Sequence, residues 1–144
     1  MKQVANHAPE HEDGPTLMNV LIVDADERFR ESLARQLVRR GMTVQATGDP
    51  AEARLMACRE RTGAVLVGLS SPRQTLLAFL RSIRQDCPGS EVILINHSGN
   101  VPLSIEAMKH GALDEVAAPV DLDELLQKLD AVSARRAKDI GGGV

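Results

Sequence analysis

The chain has 144 residues, 43% of them apolar and 26% charged, with a net charge of -3. This length and composition fit one soluble globular domain with its own core, and they exclude an intrinsically disordered chain. The negative charge, with two Phe and no Trp or Tyr, argues against direct nucleic-acid binding, because the chain has neither excess positive charge nor an aromatic platform on which bases stack.

The N-terminal segment and the length of the apolar runs bear on where the protein works. Residues 1–18 are polar and aperiodic, which predicts a flexible tail, and they lack the apolar stretch of a secretory leader. No apolar run approaches the roughly 20 residues of a membrane span, so we expect a cytoplasmic protein without a membrane partner. His7 and His11 in the tail have metal-ligand spacing, but no core holds them in place, which favours a solvated tail.

Cys58 and Cys87 follow no repeat spacing in a chain of this length. Such residues are most simply the buried or half-buried thiols of a cytoplasmic protein. We therefore predict two free cysteines.

The first part of the domain alternates strand and helix patterns. Val20–Val23 is apolar throughout, which predicts a strand buried on both faces, and Glu27–Arg40 repeats apolar residues every four positions, which predicts a helix stopped by Gly41. Met42–Thr47 is more polar and suits an edge strand. Asp49 then begins a second helix as its cap. That helix is predicted to place three residues on one face: Ala51, Leu55 and Cys58.

The second part repeats the alternation. Ala64–Leu69 and Val92–Ile95 read as buried strands, and Asp114–Ala117 as a short one. Each is followed by a helix with apolar residues on one face: Leu76, Phe79, Leu80 and Ile83 in the third helix, Val101, Ile105 and Met108 in the fourth, and Leu122, Leu125, Leu126, Leu129 and Val132 in the fifth. Five βα units predict an α/β fold with a doubly wound parallel sheet over residues 19–134, and residues 135–144 a second flexible tail. Ligand sites in such sheets lie at the carboxyl ends of the strands.

The sequence resembles the receiver domains of response regulators in two-component signalling, from about Asn19 to Ser133. The matching segments are Val20-Leu21-Ile22-Val23-Asp24, Pro72 in the loop after the third strand, Glu106-Ala107-Met108-Lys109-His110-Gly111-Ala112, and Pro119 before the last helix. The resemblance implies a CheY-like, flavodoxin-like (βα)5 fold with strand order 2-1-3-4-5. In that family two acids after the first strand hold Mg²⁺, and an aspartate ending the third strand accepts a phosphoryl group from a histidine kinase.

The resemblance also implies that most of this pocket is missing here. Asp24 keeps the first acid, but Ala25 replaces the second acid, which binds the metal, and Gly68 replaces the phosphate-accepting aspartate. Asp26 and Asp24 are only weak metal candidates, because Asp26 at a strand-to-helix turn is better explained as a helix cap. We therefore expect no Mg²⁺ and no other cofactor.

The positions that sense the phosphate in the family are changed as well. Asn96 replaces a Thr or Ser after the fourth strand, Glu115 replaces an aromatic reporter, and Ala118 replaces the lysine before the conformationally important Pro119. Losing the acids removes their mutual repulsion, and losing the lysine removes a cation that would then lack partners. The resemblance therefore implies a degenerate receiver, or pseudo-receiver, whose site was lost as a unit.

We therefore predict a signalling protein rather than an enzyme, acting by protein contacts. The expected partner is a histidine kinase or another regulator, or a second copy that binds through residues 101–134. One alternative is phosphorylation of a non-standard residue, but Ser70 and Ser71 lack an adjacent base. His97 is better explained as a hydrogen-bonded loop residue than as a catalytic one. Another alternative is the N-terminal receiver domain of a longer transcription regulator.

Overall fold

A computed structural model describes residues 18–70 and 72–142, with side chains through Arg135. Five strands alternate with five helices in the order β1 Asn19–Val23, α1 Glu27–Arg39, β2 Thr43–Thr47, α2 Pro50–Arg59, β3 Ala64–Gly68, α3 Arg73–Asp86, β4 Glu91–Asn96, α4 Val101–Lys109, β5 Asp114–Ala117 and α5 Leu122–Gly142. The strands form one parallel sheet in the order β2-β1-β3-β4-β5. The predicted fold class and strand order are therefore confirmed, with β2 at an edge.

Four of the five helices begin where the sequence supplies a side-chain cap, whereas α3 begins after Pro72 without one. Carboxylate or amide oxygens of the residue before the helix accept backbone N–H groups of the first turn, which would otherwise lack partners. These capping residues are Asp26 for α1, Asp49 for α2 and Asn100 for α4, and Asp121 accepts from the first turn of α5 in the same way. Gly41 and Gly111 end α1 and α4 with φ of 94° and 118°, a left-handed conformation that favours glycine.

The core has two parts, one on each face of the sheet. Alternate strand residues point to opposite faces, so Leu21 and Val23 pack beneath α2, α3 and α4, whereas Val20 and Ile22 pack beneath α1 and α5. Full burial of each large aliphatic side chain contributes about 1.5–3 kcal/mol of transfer free energy. This core fixes the sheet, and the sheet fixes which loops meet at its carboxyl edge.

The buried face of α2 differs from the prediction. Ala53 and Ala57 are fully buried, whereas Leu55 is 57% exposed and Cys58 is also exposed. The two alanines pack in the core shared with α3 and the sheet. The predicted face of Ala51, Leu55 and Cys58 was therefore wrong, because small residues rather than large ones mark the packing side of this helix.

The apolar face of α4 is exposed. Val101, Ile105 and Met108 share one side of the helix but are 57%, 49% and 38% exposed, respectively. The buried side carries Ser104 and Ala107 instead. The three apolar residues thus form an outer stripe on α4 rather than part of the core.

The prediction of free cysteines was wrong. Cys58 at the end of α2 and Cys87 after α3 form a disulfide, with their Cα atoms 5.2 Å apart. That Cα separation lies in the usual range for the bond. Cys87 lies 29 positions after Cys58, and the segment between them contains a strand and a helix, β3 and α3. The chain returns to the same side of the sheet, so two distant cysteines become neighbours without any spacing motif.

The ends of the domain extend slightly beyond the predicted boundaries. Met18, assigned to the N-terminal tail by sequence, is 4% exposed and packs in the core. Helix α5 continues to Gly142, past the boundary predicted at residue 134. His7 and His11 lie outside the described residues. Within the described residues no helix has the length and apolarity needed to cross a membrane.

Candidate functional site

The predicted site residues meet at the carboxyl edge of the sheet. Asp24 follows β1, Gly68 ends β3 and Asn96 ends β4. Parallel pairing aligns Val23 with Val67, and it also aligns Gly68 with Ile95, so the ends of these three strands lie side by side. The loops that follow therefore form one continuous polar region at the top of a buried sheet.

Asp24 is the buried acid at the centre of this region. Its side chain is 1% exposed. One carboxylate oxygen, Oδ1, accepts the backbone N–H of Asp26 at 2.9 Å, and the other, Oδ2, lies 2.7 Å from Nε2 of His97. The guanidinium of Arg30 donates to the backbone oxygen of Asp24 at 2.7 Å. Both oxygens of this buried carboxylate are thus satisfied by other parts of the protein, as burial requires.

The Asp24 carboxylate lies directly over Gly68. A Cβ atom added to Gly68 would clash with Oδ2 of Asp24 and lie 2.8 Å from its Cγ. Real Cβ atoms do not approach other atoms so closely, so a side chain at position 68 requires Asp24 to move. Glycine at the end of β3 and the inward position of Asp24 therefore depend on each other.

His97 closes the site from the loop after β4. Its ring contacts Asp24, and its edge packs against Phe29 with ring centroids 4.7 Å apart at an interplanar angle of 75°. The His97 side chain remains 29% exposed. The interpretation of His97 as a hydrogen-bonded loop residue is confirmed. The sequence does not reveal that His97 contacts Asp24. It does place His97 at the carboxyl edge of the sheet, because the residue comes immediately after β4.

Asn96 shapes the turn that leads into α4. Its Oδ1 accepts the backbone N–H groups of Ser98, Gly99 and Asn100 at 3.2, 2.9 and 3.2 Å. Its Nδ2 donates to Oε2 of Glu115 on β5 at 3.2 Å. The side chain is buried, and all these bonds stay within the protein. Asn96 therefore links the β4 end, the following loop and β5.

Glu115 extends this network to α4. Its other carboxylate oxygen accepts the hydroxyl of Ser104, which is 1% exposed. The chain Asn96–Glu115–Ser104, called here the polar network, ties β4, β5 and α4 together. Because buried polar groups are costly when left unpaired, a fully satisfied network of this kind fixes the helix in one position. Asn96 and Glu115 are predicted from the sequence as site residues, whereas Ser104 is not.

An ion pair between α3 and α4 also holds α4 in place. Nε of Arg73, at the start of α3, donates to Oε1 of Glu106 at 2.8 Å, and Nη2 donates to Oε2, so the pair is bidentate. Hydrogen bonding to Arg73 holds the pKa of the Glu106 carboxyl below its ordinary value, and the same hydrogen bond raises the pKa of Arg73. The two residues are 33 apart in sequence, which is why local pattern did not reveal them.

Comparison with known proteins identifies the domain. The family model of the response regulator receiver domain matches residues 20–130. The chain belongs to this family. The receiver domain is 31% identical over 121 residues to the C4-dicarboxylate transport transcriptional regulatory protein DctD of Pseudomonas aeruginosa, covering 84% of the chain and 25% of that protein. It is 30% identical over 122 residues to the response regulator MprA of Mycobacterium leprae, covering 85% of the chain and 54% of that protein.

Solved receiver domains share the fold. A response regulator from Thermotoga maritima superposes with a TM-score of 0.74 at 24% identity, covering 83% of this chain and 99% of that one. The receiver domain of an HD domain-containing protein from Pseudomonas fluorescens gives a TM-score of 0.79 at 19% identity, covering 92% and 98%. The match covers nearly all of these two solved chains, whereas the chain spans about half or a quarter of the curated relatives.

The remaining predicted residues of the receiver domain lie around the same edge. Ala25 is exposed beside Asp24, and Asp26 is confirmed as the cap of α1. Ala118 is half-buried and joined to Pro119 by a cis peptide bond. Ser70 is exposed, and Ser71 lies outside the described residues. Within the described residues, no group of three or more His, Cys, Asp or Glu side chains is placed to hold a metal ion.

Proposed function

We propose that this receiver domain of two-component signalling takes no phosphoryl group at Gly68 and signals through protein contacts. One observation carries the proposal. The Asp24 carboxylate occupies the space over Gly68 and is already paired with His97 and with the N–H of Asp26. The end of β3 therefore offers neither a nucleophilic oxygen nor the room for one.

The surrounding positions lack the charge that phosphoryl transfer needs. Such transfer proceeds by positioning the phosphoryl group and neutralising its negative charge. Ala25 and Ala118 carry methyl groups where the family resemblance places a metal-binding acid and a lysine. Arg30 is the cation that contacts this loop, and its guanidinium is bonded to the backbone oxygen of Asp24. These contacts support the proposal that the site is occupied by the buried carboxylate of Asp24 and does not bind a phosphoryl group.

The residues present do not fit a magnesium ion. Mg²⁺ requires near-octahedral oxygen ligands and is usually held by one or two carboxylates. Both oxygens of Asp24 already accept hydrogen bonds, and Asp26 is turned to cap α1 with Oδ1 on the N–H of Phe29. Binding a metal here would require breaking the contact with His97. No step of the proposed function therefore involves a metal.

The proposed contact surface is built by residues 101–134. The outer stripe of Val101, Ile105 and Met108 presents apolar area to solvent on α4. The polar network and the Arg73–Glu106 pair hold α4 on both sides, which supports a surface displayed in one fixed position. We propose that a histidine kinase, another regulator or a second copy of the chain binds there, in the cytoplasm and without direct nucleic-acid or membrane contact.

Incubation with acetyl phosphate tests the proposal. The protein is treated with acetyl phosphate and Mg²⁺, and its intact mass is measured beside a receiver domain that carries an acceptor aspartate. We expect the control to gain a phosphoryl group and this domain to keep its mass. A Mg²⁺-dependent gain of one phosphoryl group would overturn the proposal. Peptide mapping would then locate the modified residue, with His97 and Ser70 as the first positions to inspect.

A second proposal concerns the output of the pathway. The relatives DctD and MprA are, by name, a transcriptional regulatory protein and a response regulator. The similarity to DctD supports a role in controlling transcription through a DNA-binding partner, attached or separate. Isolated residues 18–135 are expected to give no shift of DNA in gel electrophoresis alone, but to be retained by such a partner through the α4 stripe. Unchanged retention of an Ile105→Asp variant would contradict the use of that surface.

A further inference from the structure

The disulfide between Cys58 and Cys87 joins two helices that flank the site. We propose that this disulfide is a reversible redox site, and that its reduction by a low-molecular-weight thiol releases α2 from α3. The proposal is independent of the phosphorylation state and of the partner proposed above. Three features of the structure support it: the few other contacts that hold α2, the exposure of Cys58, and the position of α2 beside the site.

Helix α2 has little apolar anchoring of its own. It buries only Ala53 and Ala57, with Met56 partly buried. Its neighbour α3 buries five residues, all larger than alanine: Leu76, Leu77, Phe79, Leu80 and Ile83. Since the free energy of burial scales with apolar area, α3 is fixed to the sheet far more firmly than α2. Two hydrogen bonds connect α2 to the sheet: Thr47 of β2 donates to Glu52, and Asn19 of β1 donates to the backbone oxygen of Glu60. On the side that faces α3, the covalent bond is a major part of what holds α2 in place.

One other polar tie joins these two helices in the described residues. Nε of Arg54 lies 3.7 Å from Oδ2 of Asp86, and the two side chains are 48% and 50% exposed. A solvent-exposed pair with this separation contributes little to stability. It also lies close to the disulfide, since Asp86 precedes Cys87. Arg54 therefore offers a matched control, because removing it breaks a tie at the same place without touching sulfur.

The two cysteines differ in exposure. Cys58 is exposed, whereas Cys87 is only 7% exposed. A thiolate of the reductant attacks Sγ of Cys58, forms a mixed disulfide and displaces the thiolate of Cys87, which then takes a proton. A second reductant thiolate attacks the mixed disulfide, releases Cys58 as a thiolate that is protonated in turn, and leaves the oxidised reductant as a disulfide. Two electrons and two protons are transferred, and a small-molecule disulfide reverses the steps.

The released helix forms one wall of the cleft at Asp24 and Gly68. Gly48 and Pro50, at the start of α2, line this cleft on one side. Residues of α3 line the other: Thr75, Leu76 and Phe79. The disulfide connects the far ends of the same two helices. Reduction thus frees the α2 wall while the α3 wall stays packed on the sheet.

Amide hydrogen exchange tests the proposal on the full chain. The protein is equilibrated in reduced or oxidised glutathione, its redox state is read from the intact mass, and exchange is followed for α2, α1 and the sheet. We expect the disulfide to form and break reversibly. We expect reduction to accelerate exchange of the α2 amides about tenfold or more, while α1 and β3 change little. A Cys58→Ser variant should match the reduced protein and no longer respond to glutathione, whereas Arg54→Ala should behave as wild type.

Three outcomes would overturn the proposal. Cysteines that stay reduced in oxidised glutathione would show that the bond does not form. Equal exchange of α2 in both redox states would show that the bond does not restrain the helix. A uniform acceleration across α2, α1 and the sheet would show that reduction loosens the whole domain instead of releasing one helix.

Discussion

A side chain at position 68 should lower the free energy of unfolding, because it would displace the buried carboxylate of Asp24. In a Gly68→Ala variant the new Cβ would clash with Oδ2 of Asp24, so the buried carboxylate must move. Movement breaks its contacts with His97 and with the N–H of Asp26, now 2.7 and 2.9 Å long. Hydrogen bonds to charged groups contribute about 1.5–3 kcal/mol each. Restricting the unfolded chain with alanine offsets about 0.4–1 kcal/mol of this loss.

We therefore expect Gly68→Ala to lower the free energy of unfolding by about 2–4 kcal/mol, allowing for partial relaxation of Asp24. Urea denaturation measures the change. With a slope of about 2 kcal/mol per molar urea, the midpoint should fall by about 1–2 M. Gly89→Ala is the matched control, because nothing lies within 4 Å of a Cβ added there. That variant should leave stability unchanged or raise it by up to about 1 kcal/mol, because alanine restricts the unfolded chain there as well.

A double-mutant cycle separates this contact from a general intolerance of side chains at position 68. In an Asp24→Ala background the added methyl group no longer meets a carboxylate, so Gly68→Ala should cost less than about 1 kcal/mol. The difference between the two backgrounds is the coupling energy between the positions. The same cost in both backgrounds, or a cost equal to that of Gly89→Ala, would refute the reasoning.

The remaining predictions concern the ties around the site. Ser104→Ala leaves an oxygen of Glu115 without its hydroxyl partner, so urea denaturation should show a loss of about 1–2 kcal/mol, with faster amide exchange in α4. The folded-state pKa of Glu106 is lowered from its ordinary 4.5, so its contribution is present above that pH and is lost as pH falls through the lowered value. The melting temperatures of wild type and Glu106→Gln should therefore converge below about pH 4.5. A constant difference down to pH 3 or the absence of any difference at pH 6 would contradict this.

The sequence predicts the sheet and the location of the site because both rest on local pattern. Short uninterrupted apolar runs such as Val20–Val23 are typical of strands buried on two faces, and capping residues such as Asp49 mark where helices begin. Once the strands are parallel, Asp24, Gly68 and Asn96 must share an edge. The sequence alone is thus enough to place the residues of the site together.

The contacts within the site depend on packing that sequence pattern does not encode. That Asp24 turns over Gly68 and binds His97 follows from side-chain conformations at three separate strand ends. The disulfide and the Arg73–Glu106 pair join residues that come together only after the helices pack. On α2 and α4 small residues such as Ala57 and Ala107 face the core, so the large apolar residues of these helices do not mark the buried side.

Restoring a single acid tests most directly whether the site was lost as a unit. A Gly68→Asp variant regains the residue that accepts phosphate in the family, but Ala25 and Ala118 still leave metal and phosphate charge unmatched, and Asp24 must be displaced. Intact-mass measurement after incubation with acetyl phosphate and Mg²⁺ compares this variant with the wild type. The account predicts that neither protein gains a phosphoryl group. Strong labelling of Gly68→Asp would contradict it, because one substitution would then be enough to restore the receiver chemistry.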